Sequence, residues 1–145
     1  MQVSDICSKT VVTVDIEASL ADAVGRMLDA DVGSAIVTDE GTPGGIVTQS
    51  DVLRAAHRTD EPLSSIDVRN AASTPLYRIP PSATVRRAAE QLREHDVHRL
   101  VVVDGLDVVG ILSTTDLIRN YAGIREDERK RADAEHDWLT RENIW

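Results

Sequence analysis

Apolar residues recur along this chain with two periods that alternate. Leu20, Ala23, Val24, Met27 and Leu28 fall at helical spacing, and Ser19 with Asp22 three residues on reads as an N-terminal capping box. The β-branched runs "SAIVTD" and "GGIVT" follow, separated by the turn formers "EGTP", which predicts two strands joined by a hairpin. A further helix is predicted to open near Ser50 and to carry Val52 and Leu53. An extended stretch, "TVVTVDI" (Thr10–Ile16), precedes the first helix. The same order then returns. "PLYRIPP" (Pro75–Pro81) leads into a helical stripe of Val85, Ala88, Ala89 and Leu92. The strands "RLVVVD" and "DVVGILS" come next, and a last helix opens near Thr115 with Leu117 and Ile118.

Displacing the sequence by 65 residues brings the two halves into register without a gap: Ser8 meets Ser73, Asp31-Val32 meets Asp96-Val97, Gly45-Ile46 meets Gly110-Ile111, Asp51 meets Asp116 and Arg54 meets Arg119. An internal period settles the architecture before any single element does. Repeat 1 is expected over residues 1–57, a polar linker over 58–65, repeat 2 over 66–122 and a charged helical tail over 123–145. Each repeat reads β-α-β-β-α. A three-stranded sheet of that kind cannot bury both faces alone, so the expected fold is α/β of the α+β kind: two repeats packed sheet to sheet with pseudo-two-fold symmetry, plus the tail. That tail is dense in charge, with Trp138 and Trp145 one heptad apart beside Leu139 and Ile144. It reads either as a solvated helix or as a contact for an oligomer or a protein partner.

Composition narrows the class. Aromatics make up 3% of the chain with no Phe, so the core must be Val, Ile, Leu and Ala, as in sheets covered by helices. The net charge of −9, without a basic stripe, argues against nucleic acid and against an anionic membrane surface. A single cysteine, Cys7, excludes an intrachain disulfide and fits a reducing cytoplasm; its neighbours offer nothing to activate it. No apolar run reaches the roughly 18–20 residues of a membrane span. The histidines have no metal-ligand spacing, and no pairing of base with nucleophile is visible, so neither a metal nor a catalytic residue is assigned.

The candidate chemistry lies where each second strand meets its last helix. Thr48-x-x-Asp51 and Ser113-x-x-Asp116 are, taken singly, ordinary helix caps. They recur at one register, however, and each follows a buried strand through a glycine that would let a ligand approach the backbone. A helix N-terminus favours anions, and a carboxylate can accept both hydroxyls of a cis-diol. Repeat 2 adds the basic pair His98-Arg99 at its strand start, where repeat 1 has Gly33-Ser34.

With the tandem repetition and the twice-occurring Gly-h-h-Thr/Ser-x-x-Asp motif, each repeat resembles a CBS domain and the pair resembles a Bateman module. The second repeat is especially similar to the nucleotide-binding repeats of the gamma regulatory subunit of AMP-activated protein kinase. The resemblance covers roughly residues 1–122. It implies a ligand such as AMP, ADP, ATP or S-adenosylmethionine, with Asp on the ribose, Thr or Ser on phosphate, and adenine in an apolar slot. Carried over repeat by repeat, the preferred cleft comprises Leu76, Tyr77, Val97, His98, Arg99, Ile111, Ser113, Thr115 and Asp116. The other comprises Val11, Val12, Val32, Ile46, Thr48, Ser50 and Asp51, and lacks the basic pair. The implied function is a regulatory sensor that requires no cofactor, forms homodimeric disks and signals by altered packing. The alternative is a ligand-independent oligomerisation or docking module acting through the disk and the Trp-containing tail.

Overall fold

The computed structural model describes the backbone of residues 1–142 and side chains through residue 134. Its elements run α1 (Val3–Ile6), β1 (Thr13–Asp15), α2 (Leu20–Ala30), β2 (Ser34–Asp39), β3 (Thr42–Thr48), α3 (Gln49–Thr59), a 3₁₀ turn (Leu63–Ser65), α4 (Val68–Ala71), β4 (Arg78–Ile79), α5 (Val85–Glu94), β5 (Arg99–Asp104), β6 (Asp107–Ser113), α6 (Thr114–Arg119) and α7 (Tyr121–Glu142). Two three-stranded sheets result, ordered β1-β2-β3 and β4-β5-β6, so the expected α/β architecture of paired repeats is present. In each, the first strand is parallel to the second and the second antiparallel to the third.

Local chemistry explains the shared plan. The hairpins close through two residues: Glu40 and Gly41 both have positive φ, as a type I′ turn requires, while in repeat 2 Gly105 takes the positive φ at the first position, as in a type II′ turn. Both hairpins slip register just before the turn, leaving Gly44 and Val109 unpaired. The capping boxes form at Ser19, Thr48 and Ser113, each hydroxyl accepting from the backbone N–H three residues on. The leading strands are shorter than the extended stretches that contain them. Prolines at 75, 80 and 81 lack the N–H a ladder needs, which leaves β4 two residues long.

The core is aliphatic, as the scarcity of aromatics required. Ile36, Val101 and Ile111 pack at the centre between the sheets, with Val11, Ile46 and Leu76 against them. Leu20, Ala23 and Met27 of α2 and Val85, Ala88 and Leu92 of α5 line the two outer layers. The helical stripe does not end there. Leu28 and Leu53 lie 75% and 72% exposed, and Ile118 75%, so part of the apolar stripe looks outward.

The leading segments are exchanged between the repeats. Val3, Ile6 and Cys7 are buried among Ile79, Val85, Leu100 and Leu112 of repeat 2, and Ile66 and Val68 among Val14, Leu20 and Val47 of repeat 1. Each segment then crosses the third strand of the other sheet, Ser8 bridging Ile111 and Ser73 bridging Ile46. This crossing explains two glycines. A Cβ on Gly110 would lie 2.7 Å from the Ser8 carbonyl oxygen, and one on Gly45 3.2 Å from that of Ser73. What approaches the backbone there is the other repeat's leading segment, where the sequence suggested a ligand.

The tail begins as the continuous helix α7, with Ile124 packed on the repeat 2 core and Gly123 against the Met1 side chain. The Trp138 side chain and all of Trp145, on which the contact reading of the tail rests, lie outside the described residues.

Candidate functional site

Thr48 ends β3 and caps α3, which puts Ser50 and Asp51 on the first turn of that helix. Opposite them stands the start of repeat 2. The 65-residue register and the sheet-to-sheet packing bring the two together in one cleft. It is lined by Ile46, Thr48, Ser50, Asp51 and Arg54 from repeat 1, and by Ser73, Pro75, Leu76, Tyr77, Asp96, Val97, His98, Arg99 and Val101 from the segment beyond. The cavity holds about 310 Å³, at the lower end of the range for small-ligand sites.

The grouping of residues therefore differs from the one expected. Leu76, Tyr77, Val97, His98 and Arg99 face Thr48 and Asp51, and do not share this cavity with Ser113, Thr115, Asp116 or Ile111. The reason is the packing of the sheets against each other: the start of one repeat's strand meets the end of the other's. Conversely, Val11 packs with Ile111 at the central cluster, and Ser8 pairs with Ile111. Val32 lies elsewhere, in an apolar groove with Leu28, Val52 and Leu53, and Val12 lines a surface groove with Thr13 and Arg26. Thr115 is exposed on the first turn of α6.

The two carboxylates differ in their surroundings. Asp51 is only 5% exposed. It accepts from the Thr48 backbone N–H at 2.9 Å, the Thr48 hydroxyl at 3.1 Å, the Ser73 hydroxyl at 3.1 Å and the Arg54 guanidinium at 3.2 Å. Asp116 is half-buried and accepts from the Ser113 backbone N–H at 2.8 Å. Ser73 and Arg54 were not among the residues expected at the site. Both recur in the 65-residue register, as Ser8 and Arg119, and that recurrence was the signal available for them.

Arg99 is a second cation of this region, beside Arg54. It begins β5 opposite Ser113 of β6, yet its guanidinium reaches across to repeat 1, where Nη2 lies 2.8 Å from the place a Cβ on Gly33 would occupy. Burial lowers its pKa, and the charges of Asp51 and Asp116 oppose that shift. It stays protonated, since arginine titrates far above neutrality. Ser34, its counterpart in repeat 1, is buried and uncharged. Tyr77 stacks on His95 with ring centroids 3.9 Å apart, which holds the phenol at the wall of the cleft.

The cleft thus joins an apolar slot, formed by Ile46, Leu76, Tyr77, Val97 and Val101, to a polar end with hydroxyls, a helix N-terminus, the Asp51 and Asp96 carboxylates, and the arginines Arg54 and Arg99. It suits a flat apolar ring bearing a polar, anionic extension. Among the described residues no cluster of metal-ligating side chains occurs, and no helix is long and apolar enough to cross a membrane.

Comparison with known proteins agrees with this architecture. The family model described as "CBS domain" matches residues 3–58 and again 67–123. An uncharacterized protein of Methanocaldococcus jannaschii is 27% identical over 86% of the chain, which spans 33% of that protein's length. The CBS domain-containing protein YhcV of Bacillus subtilis is 28% identical, the match covering 81% of this chain and 84% of that one. Among solved structures, a CBS domain protein from Pyrobaculum aerophilum complexed with AMP superposes with a TM-score of 0.70 at 26% identity, over 81% of this chain and 90% of that one. A hexameric CBS-CP12 protein from bloom-forming cyanobacteria gives 0.78 at 25% identity, over 93% and 83%.

Proposed function

The chain belongs to the CBS domain family, with two copies in tandem, and on that premise we propose that it is a regulatory module that binds an adenine nucleotide in the cleft between its repeats. The observation that carries this reading is the meeting of Thr48, Ser50 and Asp51 with Leu76, Tyr77, Val97, His98 and Arg99 around one cavity. The adenine fits the aliphatic slot. The phosphate meets Arg99, His98 and the N-terminal end of α3, where dipole and charge act in the same sense. The ribose diol reaches Asp51 by displacing the Ser73 hydroxyl or Arg54, both of which belong to exposed residues. The AMP held by the Pyrobaculum aerophilum protein supports the ligand class. An S-adenosylmethionine-like ligand shares the adenosine part but offers no phosphate to Arg99, so it ranks below AMP for this cleft.

Function by binding needs no cofactor and no catalytic group. The signal is a change in how the repeats, or two chains, pack. Self-association as a homodimer uses the outward apolar residues Leu28, Leu53 and Ile118. The same residues favour the second reading, a ligand-independent oligomerisation or docking module. A thermal-shift panel of AMP, ADP, ATP and S-adenosylmethionine separates the two. A ligand at about 100 times its Kd adds about 2.7 kcal/mol, or roughly 8 °C for a domain of this size. A flat panel overturns the nucleotide reading and leaves the docking module.

A further inference from the structure

Repeat 1 carries an apolar groove between α2 and α3, of about 300 Å³. Val24, Met27, Leu28, Val32, Val52 and Leu53 line it, Gln49 is its one polar side chain, and no charged residue lines it. It shares no lining residue with the cleft at Asp51. The carboxylates of α2 lie elsewhere, since Asp22 and Asp29 line grooves that contain Arg26. The 65-residue register supplies the comparison with repeat 2. Ala89 stands for Val24, Leu117 for Val52 and Ile118 for Leu53, but Arg93 stands for Leu28. Arg93 is exposed, and the carboxylates beside it on α5 are engaged by other cations, Glu90 by Arg86 and Arg87 and Glu94 by Arg87. At these positions the two repeats present one helical face twice, with a single difference in charge.

We infer that the occupant of this groove is repeat 1 of a second copy, so that two chains meet head to head. The inference rests on the self-association proposed above and not on the identity of the ligand. A two-fold contact sets one patch against itself, so the patch must be self-complementary. The repeat 1 face meets that condition: Leu28 and Leu53 stand at the groove, and pairing it with its own copy takes apolar surface out of water on both sides and desolvates no charge. The head-to-tail alternative sets repeat 2 of one chain on repeat 1 of the other. It carries Arg93 to the place of Leu28, against a groove with no carboxylate to receive it, and a guanidinium buried without an anion opposes association. Arg93 is thus the residue that selects the orientation, by excluding the wrong partner face.

Thiol cross-linking of the full chain with a flexible bis-maleimide tests this, with sedimentation of the wild type alongside. Leu53 and Ile118 are exposed, so cysteine there spares the fold, and the buried Cys7 of the wild type sets the background. Leu53→Cys should give cross-linked dimers by itself. Leu53→Cys mixed with a size-tagged Ile118→Cys chain should give about tenfold fewer mixed dimers, or less. Arg93→Leu introduced into the Ile118→Cys chain should raise the mixed product severalfold, because it makes the two faces alike. Mixed dimers that equal or exceed the Leu53→Cys product would overturn the orientation while self-association stands. So would a mixed product unmoved by Arg93→Leu. A wild type that sediments as a dimer without any Leu53→Cys cross-link would overturn the groove as the contact. A monomeric wild type would overturn self-association as well, and leaves nucleotide binding to the thermal-shift panel.

Discussion

Replacing Gly110 by alanine should destabilise this protein far more than the same change at its repeat partner, Gly45. The two glycines occupy equivalent places on β6 and β3, and both face an exchanged segment. At Gly110 the new methyl would lie 2.7 Å from the Ser8 carbonyl oxygen and 2.9 Å from the Cys7 sulfur. Neither can yield as the tip of a flexible side chain would. One is backbone, and Cys7 is buried against the repeat 2 core. The segment must retreat, straining the paired hydrogen bonds from Ser8 N to Ile111 O at 2.9 Å and from Ile111 N to Ser8 O at 3.0 Å. Overpacking of this kind costs about 1–3 kcal/mol, and weakening two net hydrogen bonds adds about 1 kcal/mol, so the expected loss is about 2–4 kcal/mol. At Gly45 the nearest atoms, the Ser73 oxygen and the Thr74 methyl, are 3.2 and 3.3 Å away, and a shift of a few tenths of an ångström suffices. There the loss should stay near or below 1 kcal/mol. Gly25 calibrates the scale: it lies within α2 with nothing inside 4 Å of its Cβ position, and Gly25→Ala should add about 0.5–1 kcal/mol through helix propensity. Thermal unfolding followed by circular dichroism should therefore place Gly110→Ala roughly 6–12 °C below wild type, Gly45→Ala within about 3 °C below it, and Gly25→Ala slightly above. Equal losses at Gly110 and Gly45, or no loss at Gly110, would refute the claim that the exchanged segment is held against that strand.

Three further outcomes are expected. Gly33→Ala should displace the Arg99 guanidinium while sparing the fold, because the clashing atom at 2.8 Å ends a flexible side chain; titration should show AMP affinity changed severalfold with the melting temperature within about 2 °C, and an unchanged affinity would count against Gly33 as the seat of Arg99. In the absence of ligand, Asp51→Ala should cost about 2–3 kcal/mol in urea unfolding, since it strands the Ser73 and Thr48 donors, and Asp116→Ala about 1 kcal/mol as a lost cap; the reverse order would show that the Asp51 network contributes nothing. Leu53→Asp should shift sedimentation toward monomer with little change in monomer stability, because its side chain is already 72% exposed; an unaltered sedimentation coefficient would remove this face from the proposed dimer.

Much of this was legible in the residues. The alternating periods and the 65-residue register determined the β-α-β-β-α order of each repeat, though not the short leading helices α1 and α4, together with the paired hairpins and the three capping boxes, because each depends on neighbours within a few positions along the chain. The residue types of the site were legible for the same reason: Thr48 and Asp51, like Ser113 and Asp116, are coupled through one helical turn. Their partners were not. Leu76, Tyr77, Val97, His98 and Arg99 belong with Asp51, although by sequence they lie in the repeat of Asp116. Periodicity along a chain carries no information about which of two alike repeats a side chain will face. That was decided by the sheets packing on each other and by the exchange of α1 and α4, which buries Val3, Ile6, Ile66 and Val68 in the opposite cores and removes their apolar surface from water. The sequence by itself thus determined two copies of one unit with a cap and a carboxylate at each. Only the tertiary structure decided that Arg99 of one copy would line a cleft with Asp51 of the other.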